Sequence, residues 1–131
     1  MSFIATSAVR CSTSWKNPKN LNPKRNGGWV FTREARLRNE LKMHSMLTTG
    51  LENGHDCIIL SAFGCGAYRN PSDQVVKLFK NVIKSGNYLY HYKLIVFAVI
   101  DDSNSYYHSN EGNYKHFTRL NDVDFSDKDK K

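Results

Sequence analysis

The stretch Cys57-Ile-Ile-Leu-Ser-Ala-Phe-Gly-Cys-Gly-Ala-Tyr-Arg-Asn-Pro71 constrains this chain more than any other. Cys57 to Ala62 is an apolar run without alternation, and Leu94 to Ile100 is a second, rich in β-branched residues. Runs of that length suit strands buried on both faces, as in parallel sheets. Between them lies a strong helix signal. Asn70 reads as the N-cap, Pro71 as the first helical residue and Asp73 as a short capping-box partner. Val75, Val76, Phe79, Val82 and Ile83 fall on one face, and Gly86 closes the segment. Strand, helix and strand predict a right-handed βαβ crossover, hence an α/β fold.

The turn inside this unit carries the chemistry. Gly64 and Gly66 flank Cys65 where the strand hands over to the helix. In open α/β sheets that edge is where ligands bind. Backbone N–H groups and the positive end of a helix dipole favour an anion there, most often a phosphate. Glycines admit positive φ and close approach of a phosphate to the main chain. Arg69 can add a charge-assisted contact. The plainer alternative is a tight turn that simply needs small residues. Two phosphate chemistries are excluded. The string lacks Gly-Lys-Ser/Thr, so it is not a nucleoside-triphosphate loop. Arg69 follows Cys65 too closely for a cysteine-phosphatase loop. His55 lies at the far end of the preceding strand, so Cys65 has no evident base and reads as a small packing residue.

At 131 residues the chain makes one domain, read as 1–121 with a charged flexible tail over 122–131. Its 40% hydrophobic and 24% charged content is that of a globular protein. Phe3 to Ala8 reads as a short strand rather than a signal peptide. Arg10 to Val30, with Pro18, Pro23, Gly27 and Gly28, reads as a loop. A helix is expected from Thr32, with Leu37, Leu41, His44, Leu47 and Leu51 as its stripe, Met43 and Met46 beside it, and Gly50 or Gly54 at its end. His44 reads as a core-edge residue, since no partner stands at metal spacing. A short helix is expected near Asn113 to Leu120. Cys11, Cys57 and Cys65 form an odd set without metal spacing, which points to reduced thiols in a cytoplasmic or nuclear setting. No apolar run is long enough to span a bilayer, so no membrane role is expected. Neither cofactor nor metal is called for. The net charge of +7, crowded into the first third, favours anionic partners or a solvated surface.

The string Leu60 to Pro71, with Val75, Val76 and Phe79 after it, resembles the signature of the microbial-type poly(ADP-ribose) glycohydrolases. Gly54-His55-Asp56 leading into the strand, the run Ile95 to Asp101, and Asn113 with Phe117 resemble further features of that family. The resemblance runs from about Phe3 to Phe117 and implies the carboxyl-terminal portion of a three-layer, macro-domain-like α/β fold. It also implies ADP-ribose, free or on a modified protein, as the ligand. Phe63, Gly64, Cys65, Gly66, Ala67, Tyr68, Arg69 and Asn70 would line its site, with the strand end at Ala98 to Asp101 near the adenosine. Phe63 suits either sugar contact or packing, and Tyr106 and Tyr107 either adenine contact or plain surface. The family's catalytic carboxylates sit on an earlier glycine-rich loop. Here Gly27-Gly28 is followed by Trp29, without paired glutamates. Glu34 and Glu40 fall on a charged helix, where ion pairing is their expected role. The expected function is therefore ADP-ribose binding without that loop. An active glycohydrolase and a basic nucleic-acid-binding protein on the same fold are the alternatives. A sheet lacking part of its cover also suggests a second copy or a partner chain across the gap.

Overall fold

The computed structural model describes residues 3–5, 20–25, 28–63, 65, 70–101 and 111–122. Three parallel strands form the main sheet: β1 (Phe3–Ala5), β4 (Cys57–Ser61) and β5 (Leu94–Ala98), in the order β1-β4-β5. Phe3 stands beside Cys57, and Cys57 beside Leu94. A separate antiparallel pair, β2 (Leu21–Pro23) and β3 (Trp29–Phe31), precedes the first long helix. The helices are α1 (Arg33–Glu52), α2 (Ser72–Ser85), α3 (Tyr88–His91) and α4 (Asn113–Thr118), and α4 runs into a 3₁₀ turn over Arg119–Asp122. The mixed α/β architecture and the parallel β4–α2–β5 unit are those the sequence predicts. No helix among the described residues is long and apolar enough to cross a membrane.

The central strand is the best buried. Ile58 and Leu60 enter the core, while Ile59, on the opposite face, is half-buried. β5 differs from the expectation of burial on both faces. As an outer strand of the three it leaves Leu94 41% exposed, and its Ile95 and Phe97, with Val99 just beyond it, pack against the core. α2 presents Val75, Val76, Leu78, Phe79, Val82 and Ile83 to that core. Phe79 meets Phe97 edge-on at 5.0 Å between ring centres and Phe117 at 6.1 Å, which locks α2, β5 and α4 together.

Helix α1 begins where expected. The Thr32 hydroxyl accepts from the Ala35 N–H at 3.2 Å. It ends at Gly54, whose φ of +80° only glycine adopts freely. His55 N–H reaches Gly50 C=O and Gly54 N–H reaches Leu51 C=O, both at 3.0 Å, the paired bonds of a Schellman motif. Its buried line is not the expected one. Ala35, Asn39, Met43, Met46, Leu47 and Gly50 face inward, whereas Leu37 is 44% and Leu41 70% exposed. The contact line runs through the buried small residues Ala35 and Gly50 as well as the methionines, instead of through Leu37 and Leu41. His44 is the core-edge residue expected: its Nδ1 lies 2.8 Å from the Tyr88 hydroxyl.

Two elements correct the loop reading. Within Arg10 to Val30, the described part folds into the β2–β3 hairpin, closed by Lys24 N–H on Gly28 C=O at 3.0 Å. Pro23 is tolerated because this ribbon has only two strands. On a stretch without a sequence expectation lies α3, a single turn after Asn87, which takes the left-handed conformation at φ 53°. The Tyr88 ring folds back over Gly86, where an added Cβ would lie 2.2 Å from Tyr88 Cε2. Of the expected tail at 122–131, Asp122 belongs to the 3₁₀ turn and the rest lies outside the described residues.

Candidate functional site at the β4–α2 turn

The carboxyl end of β4 and the start of α2 frame the candidate site. Phe63 and Cys65 are both buried, Cys65 at 1% exposure. Phe63 N–H donates to Ser61 C=O at 2.9 Å and Cys65 N–H to Ala62 C=O at 3.0 Å. The Cys65 thiol lies 3.8 Å from the Phe63 carbonyl. Cys65 is thus the packing residue its sequence context suggests, and Phe63 also sits in the core. Asn70 is buried at 3% exposure just ahead of the helix. Gly64, Gly66, Ala67, Tyr68 and Arg69, the rest of the expected site, lie outside the described residues, as do Tyr106 and Tyr107.

The helix entrance is shifted by one residue from the sequence reading. Pro71 occupies the N-cap with extended backbone (φ −61°, ψ 121°), and Ser72 opens α2. Proline carries no capping oxygen, and the helix has no side-chain cap. Asp73 is not a capping partner. Its carboxylate pairs with Lys24 Nζ at 3.7 Å and accepts from Gln74 Nε2 at 3.3 Å. The hairpin is thereby joined to the first turn of α2.

α4 is the turn's second support. The Asn113 side chain, buried at 4% exposure, donates to the Cys65 carbonyl at 3.3 Å. Phe117, one helical turn on, is anchored among Phe79 and Phe97. The Asn-x-x-x-Phe spacing therefore places one polar and one apolar anchor on the same helix face. At the head of α4, Tyr114 N–H donates to Asp101 Oδ1 at 2.9 Å. The carboxylate packs so close to Gly112 that an added Cβ would meet Oδ1 at 2.5 Å. The strand end after β5 thus holds α4 in place, a role the sequence reading missed. Its signal was an Asp ahead of a Gly-Asn helix entrance.

A charged cluster closes the far side of α4. Arg119 Nη2 meets Glu111 Oε2 at 2.6 Å, and Arg119 Nη1 donates to His116 Nδ1 at 2.6 Å. His116 Nε2 stands 3.7 Å from Glu111 Oε2. The hydrogen bond from Arg119 holds the Glu111 carboxyl below its ordinary range. Burial, helped by the Arg119 charge, holds the His116 imidazole below its own. Among the described residues no group of three or more His, Cys, Asp or Glu is placed to hold a metal ion.

A parallel sheet, a crossover helix after a glycine-rich turn and a short helix tethered to that turn define a macro-domain-like α/β module. Known structures share this fold. Poly(ADP-ribose) glycohydrolase from Thermomonospora curvata matches with a TM-score of 0.57 and 24% identity, over 67% of this chain and 31% of that one. A mutant of the Deinococcus radiodurans glycohydrolase, solved in complex with ADP-ribose, matches with a TM-score of 0.54 and 21% identity, over 66% of this chain and 32% of that one. The chain thus has the fold of part of a microbial poly(ADP-ribose) glycohydrolase and spans about a third of those proteins' length. No protein-family model and no curated protein matches the sequence.

Proposed function

We propose that this chain binds ADP-ribose, free or on a modified protein, at the β4–α2 turn. The supporting observation is the tethered handover itself. A glycine-rich turn at the carboxyl edge of a parallel sheet is held by Asn113 and leads into the positive end of a 14-residue helix. That arrangement suits a diphosphate, and the same fold is known with ADP-ribose bound. In this reading the loop from Gly64 to Tyr68 surrounds the diphosphate, while the Phe63 and Cys65 amides, which donate to the Ser61 and Ala62 carbonyls, shape the loop and do not contact the ligand.

Binding without cleavage is the favoured form. Hydrolysis of an ADP-ribose glycosidic bond needs a positioned carboxylate at the ribose. Three described carboxylates around α2 and α4 hold structure instead: Asp73 pairs with Lys24, Asp101 takes Tyr114 N–H, and Glu111 takes Arg119. Calorimetry with free ADP-ribose tests the proposal. Micromolar binding is expected, weakened at least about tenfold by Gly66→Glu, a loss of about 1.4 kcal/mol. A folded protein that gives no heat at millimolar ligand contradicts it. Incubation with an ADP-ribosylated protein is expected to release no ADP-ribose, and steady release abolished by one acidic substitution would establish an enzyme instead.

A further inference from the structure

We propose that the outward face of α2 is a docking strip for single-stranded nucleic acid, gripped through its phosphates. The exposed residues of this helix are Lys77, Lys80, Asn81, Lys84 and Ser85. None is acidic and none is apolar. The helix's only acidic residue, Asp73, is engaged by Lys24. Among the described residues no ion pair involves Lys77, Lys80 or Lys84. The three lysines lie within an arc of about 60° and rise about 10 Å along the helix axis. They form a straight cationic rail with uncharged hydrogen-bonding residues beside it.

Such a rail complements a regular polyanion. The rest of α2 decides which one. Its other faces pack against α1, α3 and α4, so a rigid duplex would meet only the lysine strip. A flexible strand can instead lie across it. Four residues past Gly86 in the chain, on α3, which packs against α2, Tyr90 is 64% exposed and offers a ring on which a base can stack. Acidic peptide shares the charge complementarity but gains nothing from that ring. The inference stands apart from ADP-ribose binding, because it uses neither the turn nor α4.

The test is fluorescence anisotropy of a labelled thymidylate oligonucleotide of about 20 residues with the whole chain, at low and moderate salt. Binding is expected that weakens with salt. K77Q/K80Q/K84Q, with an unchanged circular dichroism spectrum, is expected to weaken it at least about tenfold and to lower the log–log salt slope by about 2. Tyr90→Leu is expected to weaken it about fivefold or more at unchanged slope. The proposal fails if no binding appears at low salt or if the triple variant binds as the parent does. It also fails if polyglutamate competes charge for charge, which would assign the face to acidic protein.

Discussion

At the scale of single residues, Asn113 links fold to site. One amide hydrogen of a buried side chain satisfies the Cys65 carbonyl in the middle of the turn. Asn113→Ala removes this hydrogen bond and the packing of a buried side chain, at a cost of about 1–3 kcal/mol. Urea unfolding should show a lower midpoint at unchanged slope. ADP-ribose affinity should fall as well, because the turn loses its clamp. An unchanged midpoint would show that the bond carries no weight. Burial also sets the role of Cys65. Its thiol is inside the core, so labelling by a thiol reagent should require unfolding. The string around Cys65 was legible in the sequence as a turn between strand and helix. Cys65 was legible as a packing residue, but whether Phe63 faced a sugar or the core was not, because residues beside the glycines carry no periodicity that marks a face.

At the scale of elements, α1 gives the sharpest contrast between sequence pattern and packing. Met43→Ala should cost about 2–5 kcal/mol, since its side chain is wholly buried. Leu41→Ala should change stability by no more than about 0.5 kcal/mol, since that leucine is mostly exposed. Equal effects would restore the leucine stripe. α2 was legible nearly whole, because its apolar residues form one unambiguous face. α1 carries leucines on two faces, so periodicity alone could not choose between them. The β2–β3 hairpin and α3 escaped notice because three-residue strands and a four-residue helix are too short to show a period. α4 adds a pH dependence. His116 is held below its ordinary protonation range by burial and Arg119, so the unfolded chain binds the extra proton more readily than the folded one. Its contribution to stability is present above the ordinary histidine pKa and is lost as pH falls through that value. The urea midpoint should therefore drop between neutral and mildly acidic pH. His116→Gln should flatten that drop, and an equal slope in the variant would assign it elsewhere. Tyr92 acts at the other extreme. Burial pushes its phenol up to about 12, so the folded form keeps the proton where the unfolded form loses it. That contribution is present below the ordinary tyrosine pKa and fades as pH rises toward 12.

At the scale of the whole molecule, the account rests on a compact piece of a larger known fold. Over 67% of its length the chain shares the fold of 31% of a microbial glycohydrolase. The β4–α2–β5 connection was legible because continuous apolar runs separated by one amphipathic helix admit few arrangements; the pairing of β1 with β4 was not, because three residues carry too little pattern to fix a neighbour. The partial cover of β5 was not, because an edge strand and a central strand read alike when both are apolar. Nuclear magnetic resonance titration of the isotopically labelled chain with ADP-ribose tests the central claim most directly. The account predicts saturable shifts in the amides from Phe63 to Asn70 and in the Asn113 side chain, with the Lys77–Lys84 face of α2 unmoved. Shifts absent from the turn at millimolar ligand, or confined to another face of a folded protein, would contradict it.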